Sequence, residues 1–205
     1  LAIVPLPASL EKPEWTYQQN AKMTLNLCEL MRAGYFSALV QCSSSEVYGS
    51  ALYVPMDESH PLRTMTPYAA SKAASDCLAI SYYETFGLDI TIPRPFNNYG
   101  PRQNEDNYAG VVPVTIRRIL NKEAPIIYGY GNQTRDYIFV RDTAKAIIDI
   151  YLSKNTRGKV INIASDKEIS IKNLINLIRK LMNYKVEAKY EPERPGDVKR
   201  HKADI

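Results

Sequence analysis

The chain is predicted to fold as an α/β protein around a parallel sheet, and three observations carry that prediction. Short apolar runs bounded by turn residues alternate with longer segments of helical spacing, the pattern of β–α–β units. Runs rich in serine or asparagine directly follow the apolar runs, where such sheets carry their chemistry. The 205 residues, 45% hydrophobic and 23% charged, match a globular protein and suffice to bury a sizeable core. No internal repeat or low-complexity segment interrupts the pattern.

In chain order, residues 16–33 read as an amphipathic helix with Leu25, Leu27, Leu30 and Met31 as apolar positions and Gly34 as its stop. Residues 37–43 read as a short buried strand ending in Ser43-Ser44-Ser45. Residues 50–65, with Pro55 and Pro61, read as a loop. Thr66 is expected to cap the next helix with Pro67 in its first turn, and Gly87 to end it after Phe86. Residues 88–92 read as an alternating strand before Pro93-Arg94-Pro95, and residues 97–110 are rich in turn formers. Helices are expected at 111–121, 141–152 and 170–182, the last capped by Ser170; strands are expected at 126–128, 159–164 and 186–190.

Composition narrows the function classes. A net charge of +4 without a Lys/Arg run gives no nucleic-acid footprint, whereas scattered Arg suits a small anionic ligand. Fifteen Tyr suggest a polar, hydrogen-bonding cleft. Cys28, Cys42 and Cys77 stand at unrelated spacing, and His60 and His201 are the two histidines, so no metal site is expected. Free thiols fit a reducing, cytoplasmic compartment. With no signal peptide and no apolar run of membrane-spanning length, no membrane association is expected.

Four residues carry chemistry. Ser44, Glu46, Tyr68 and Lys72 fall within 29 residues, and Tyr68 and Lys72 lie one helical turn apart on one face. A free Tyr titrates near ~10, too high for a base at neutral pH. A fixed Lys charge favours the phenolate, and lowering its pKa by roughly 3 units takes about 4 kcal/mol. A Ser hydroxyl at the same substrate oxygen completes a set for oxidising a carbinol. Glu46, two residues beyond Ser44, is expected on the same strand face as an additional base.

Five blocks in order extend this set: Ser43-Ser44-Ser45-Glu46-Val47-Tyr48-Gly49, Pro67-Tyr68-Ala69-Ala70-Ser71-Lys72, the run from Arg94 to Arg102, the run from Gly131 to Tyr137, and Arg194-Pro195-Gly196-Asp197. Together they resemble the extended short-chain dehydrogenases/reductases that act on nucleotide sugars, over nearly the whole chain. The resemblance implies a Rossmann-like doubly wound parallel sheet, its N-terminal part missing, with a smaller C-terminal substrate domain. It assigns 1–94 with 138–165 to the dinucleotide-binding domain and 95–137 with 166–205 to the nucleotide-sugar domain. It implies NAD as cofactor, with NADP open, a nucleoside-diphosphate sugar as substrate, and a homodimer formed through helices including that of Tyr68. Leu78, Ala79, Tyr82 and Tyr83 would supply part of that surface.

By the same resemblance, Tyr68 is the catalytic base, aided by a cationic nicotinamide ring, and Lys72 its partner on the nicotinamide ribose. Ser44 bonds the sugar hydroxyl. Ala2 and Pro95 contact the cofactor, Asn97 holds the phosphates, Arg135 and Arg194 clamp the diphosphate, and Asp197 lies toward the nucleoside. Asn20 matches an Asn of largely structural role. One departure is large: the sequence has no Gly-x-x-Gly-x-x-Gly fingerprint. It begins at Leu1 without Met and ends at Ile205 where the family continues, so a fragment is expected. Glu46 resembles a residue of the family's dehydratases and favours 4,6-dehydration. Thymidine-sugar dehydratases carry Asp where Ser45 stands, whereas GDP-sugar dehydratases and sugar-nucleotide decarboxylases carry Ser-Glu as here; the epimerase-like segment 103–113 leaves a 4-epimerase open, and the missing fingerprint a non-catalytic cofactor-binding module.

Overall fold

The computed structural model describes residues 6–104, 110–194 and 196–205. A short helix, α1 (Leu6–Glu11), leads into α2 (Pro13–Arg32), which packs along α3 (Pro67–Phe86). The buried face of α2 differs from the expected one. Leu25, Leu27 and Leu30 are exposed, and Thr16, Asn20, Thr24, Cys28 and Met31 face inward. The partner decides this. α3 turns serines towards α2, and Asn20 Nδ2 donates to Ser71 Oγ at 2.8 Å, while Ser71 and Ser75 hydroxyls bond carbonyls one turn back. Small hydroxyl side chains let the helices approach closely and satisfy one another's buried polar groups.

α3 forms as its ends dictate. Thr66 Oγ1 accepts from Ala69 N at 3.2 Å, Pro67 opens the first turn, and Gly87 closes the helix at φ 64°, a left-handed conformation glycine adopts without a Cβ clash. Ala79, expected on an outward surface, is fully buried against Cys28, Met31, Ile90 and Ile92.

The first sheet has the order β1 (Leu39–Val40), β2 (Ile90–Pro95), β6 (Val160–Ile163), all parallel. β2 runs through Pro93-Arg94-Pro95, beyond its expected end, and is buried at every position because both α3 and α5 (Val140–Leu152) pack on it. Two prolines in a central strand are tolerated by phase. Ile92 and Phe96 N–H groups bond β6-side carbonyls, whereas Pro93 and Pro95 face the 39–43 segment, where Pro93 O accepts from Ser43 N at 2.8 Å. The same missing donors hold β1 to two residues. Residues Ser45–Tyr48 then form a 3₁₀ turn capped by Ser44, so the strand-face argument for Glu46 does not hold.

A single residue, Phe96, separates β2 from β3 (Asn97–Tyr99), where the chain changes sheet. The second sheet has the order β3, β5 (Thr134–Phe139), β7 (Glu168–Ser170), with β3 parallel and β7 antiparallel to β5. These strands were hidden in stretches that read as turns. β4 (Ile126–Tyr128) pairs with β8 (Lys189–Glu191), which lies later than the expected 186–190. Helices α4 (Val111–Leu120) and α6 (Ile171–Leu181) pack through Ile119, Leu174 and Ile178. Val47, Tyr48, Met56, Phe96 and Ala203 form a further core, to which the last residues bring Ala203. Burying side chains such as Ile90 and Ile92 contributes roughly 1.5–3 kcal/mol each. Among the described residues no helix is long and apolar enough to cross a membrane.

Candidate active site

The strand ends converge as parallel-sheet topology requires. The 39–43 segment delivers Ser44, β2 delivers Pro95 and then Asn97, and the N-terminal turns of α3 deliver Tyr68 and Lys72. Tyr68 is 7% exposed and Lys72 4%. The Ser44 hydroxyl lies near the Tyr68 phenol and favours its phenolate form. Burial nevertheless pushes the phenol up to about 12, with Glu46, Cys42 and Asp76 adding and Ser44 opposing. The expected lowering by Lys72 is not what governs this group: the ammonium donates instead to Cys42 O, and its own pKa is lowered by burial.

Glu46 is half-buried, and burial raises its carboxyl pKa against the pull of Arg135, with Asp197 adding to the rise. Ser44 Oγ accepts from Glu46 N at 3.3 Å. Arg135, on β5 and 7% exposed, pairs with Asp197 at 2.5 Å, and Gln133 Nε2 donates to the second Asp197 oxygen at 3.3 Å. Asn97 begins β3 with a buried side-chain Nδ2 that has no acceptor among the described residues.

The predicted residues are therefore brought together in two groups, Ser44 with Tyr68 and Lys72, and Glu46 with Arg135 and Asp197. Arg194 belongs to neither. It is exposed, and its guanidinium stacks on the Tyr128 ring at 3.8 Å rather than facing Arg135. Pro95 is buried at the end of β2. Ala2 lies outside the described residues. Gln133 and Asp76 went unnoticed in the sequence, although Asp76 repeats the Tyr68–Lys72 spacing one turn further along α3.

A model described as the NAD dependent epimerase/dehydratase family matches residues 2–164. A putative UDP-glucose 4-epimerase of Methanocaldococcus jannaschii is 36% identical over 198 residues, covering 96% of this chain and 64% of that protein. Among solved structures, a UDP-N-acetylglucosamine 4-epimerase from Methanobrevibacter ruminantium in complex with UDP-N-acetylmuramic acid superposes with TM-score 0.94 at 38% identity, covering 100% of this chain and 66% of that one. The dTDP-glucose 4,6-dehydratase DesIV from Streptomyces venezuelae, with NAD and TYD bound, gives 0.92 at 27%, covering 100% and 62%. The chain thus spans a little under two thirds of the length of such relatives.

Proposed function

Since the chain belongs to the NAD-dependent epimerase/dehydratase family, we propose that it carries the proton-transfer and sugar-nucleotide residues of an enzyme that oxidises C4 of a nucleoside-diphosphate hexose. The observation that carries this reading is the buried Tyr68 phenol near the Ser44 hydroxyl, with the buried Lys72 one helical turn along and bonded to Cys42 O of the same segment.

The residues present fit the ribose end of the dinucleotide. Lys72 is an ammonium with three donors, one of them given to Cys42 O, which leaves two for a diol. Pro95 ends the strand beside it. NAD, when bound, supplies the hydride acceptor. Tyr68 takes the proton of the 4-hydroxyl, Ser44 orients that hydroxyl, and Lys72 stabilises the phenolate. Bringing a phenol from about 12 to near neutrality takes about 7 kcal/mol, more than the roughly 4 kcal/mol a single cation at 4 Å contributes in a partly screened site. Lys72 alone is not enough, and the positive charge of a nicotinamide ring would supply the rest of the requirement. Arg135 and the unpartnered Asn97 amide suit the diphosphate, and Asp197 must release Arg135 for that contact.

The outcome supported best is 4-epimerisation, because the two 4-epimerases above share 36% and 38% of their sequence with this chain against 27% for the dehydratase DesIV, and Ser45 offers no acid. A second reading, 4,6-dehydration, rests on Glu46, whose half-buried carboxyl lies close enough to raise the Tyr68 pKa. Full-length protein incubated with UDP-, dTDP- and GDP-hexoses and analysed by mass spectrometry separates them. An isobaric C4 epimer supports the first, loss of water the second, and neither sinks the C4 reading.

The strand order supports a division of labour, with residues 1–94 and 138–165 toward the dinucleotide and 95–137 and 166–205 toward the nucleotide sugar. Hydrogen exchange with UDP alone is expected to protect 133–137 and not 39–43; the reverse pattern contradicts the division. A homodimer accompanies this reading, since α2 and α3 leave Leu27, Leu30, Ile80 and Phe86 exposed. A monomer mass in sedimentation equilibrium rules it out.

A further inference from the structure

Behind the proton-transfer residues lies a buried charged network that the chemistry above does not use. Asp76 is fully buried and Arg94 is 3% exposed, yet they form an ion pair, with Arg94 Nε at 3.0 Å and NH2 at 2.9 Å from Asp76 Oδ2. Ser43 Oγ donates to the same oxygen at 2.8 Å. Arg94 NH1 donates to Tyr48 Oη at 3.0 Å and stacks over the Tyr48 ring at 4.9 Å. Tyr48 Oη in turn donates to Asn162 Oδ1 at 2.8 Å. Asp76 Oδ1 has no hydrogen-bond partner.

Each member sits on an element that carries a candidate site residue. Ser43 precedes Ser44, Tyr48 closes the turn that holds Glu46, and Asp76 follows Tyr68 and Lys72 along one face of α3. Arg94 precedes Pro95 on β2. A buried ion pair stabilises a fold no better than well-packed apolar groups, so burying one between these four elements asks for another use.

We propose that the Arg94–Asp76 pair is a positioning unit that locks the Ser44 segment, the Glu46 turn and the Tyr68–Lys72 helix into one register and places a fixed negative charge behind Lys72. This rests on the C4-oxidation reading above. The charged and titratable groups facing Asp76 are Arg94 from β2, Lys72 and Tyr68 from its own helix, Cys42 from the 39–43 segment and Tyr48 from the 3₁₀ turn, with the Ser43 hydroxyl; those facing Tyr68 are Glu46, Cys42 and Asp76, with the Ser44 hydroxyl. Asp76 acts on both members of the pair, holding the Tyr68 phenol and the Lys72 ammonium towards their protonated forms.

The test uses full-length protein and two variants. Asp76→Asn removes the charge and keeps the shape. Turnover is expected to fall at least about tenfold with KM nearly unchanged, and the acidic limb of its pH profile to move to lower pH by roughly one unit, because the charge opposing the phenolate is gone. Should that variant not fold, Arg94→Met with Asp76→Leu removes both charges together. It is expected to melt near the wild type, to lose at least about tenfold in kcat, and in a crystal structure to show the Lys72 ammonium out of hydrogen-bond reach of Cys42 O. Wild-type kcat with an unmoved limb, or a double-variant crystal structure with the Lys72–Cys42 O bond intact, overturns the proposal. If the wild type itself turns over no nucleotide hexose, the C4 reading fails, and the crystal structure still decides the positioning role.

Discussion

Tyr68 illustrates how a residue's chemistry depends on what surrounds it. The spacing to Lys72 suggests a lowered phenol, but in the folded chain desolvation outweighs the other influences on it and drives it to about 12. Under the proposed C4 oxidation, the phenol would ionise only with a further cation in place, which would couple proton transfer to assembly of the complex. Tyr68→Phe is expected to cut turnover by roughly 10²–10⁴-fold or more while nucleotide-sugar affinity stays within about twofold; isothermal titration beside a rate assay checks both, and persistent turnover removes Tyr68 as the base. Glu46→Gln distinguishes the two outcomes. A 4-epimerase should keep most of its rate, whereas a 4,6-dehydratase should stop releasing water. Glu46 also marks where reading residues in isolation failed: period-two alternation assumed a strand, and the Ser44 cap starts a 3₁₀ turn instead.

At the scale of elements, the helix bearing Tyr68 and Lys72 was the most legible, because its signals are local. Thr66 caps, Pro67 has no N–H to lose, and Gly87 accepts a left-handed backbone, all within a few residues of the ends they control. Thr66→Ala is expected to cost about 1 kcal/mol of stability, measured by urea denaturation, since Ala69 N would lose its acceptor at a buried cap; an unchanged midpoint would show that the cap is replaceable. α2 was harder to read. Its leucines suggested the inward face, but what a helix buries is chosen by its neighbour, and the serines of α3 favoured Asn20, Thr24 and Cys28. Strands β3, β5 and β7 were similarly hidden, since each is three to six residues of mixed polarity held by pairing with distant segments.

Over the whole molecule, the C-terminal residues lace together segments far apart in sequence. His201 is fully buried, its Nε2 2.6 Å from Gly49 O and its backbone N bonded to Thr134 O, while Met56 N bonds Lys202 O. Burial drives the imidazole down to about 3. The unfolded chain, with an ordinary histidine near ~6.5, then binds a proton that the folded one refuses. The stability tied to this group is thus present above about 6.5 and lost as pH falls from there toward 3, with a slope approaching about 1.4 kcal/mol per pH unit. Melting temperature between pH 7 and 4.5 should fall more steeply for the wild type than for His201→Phe, which carries no titrating ring beside Phe96; equal slopes would mean that other groups set the acid limit.

From sequence alone came the α/β class, the helix that carries Tyr68 and Lys72, the family blocks and the candidates for proton handling. These depend on caps, on apolar spacing and on short motifs, each a local property of the chain. Only the tertiary structure decided that Lys72 donates a hydrogen bond to Cys42 O, that Arg135 is held by Asp197 while Arg194 stacks on Tyr128, and that Arg94 grips one buried oxygen of Asp76. Those outcomes turn on burial and on partners up to 66 residues away along the chain, and a charge's behaviour is set by the dielectric and neighbours that folding provides rather than by the residues beside it in sequence.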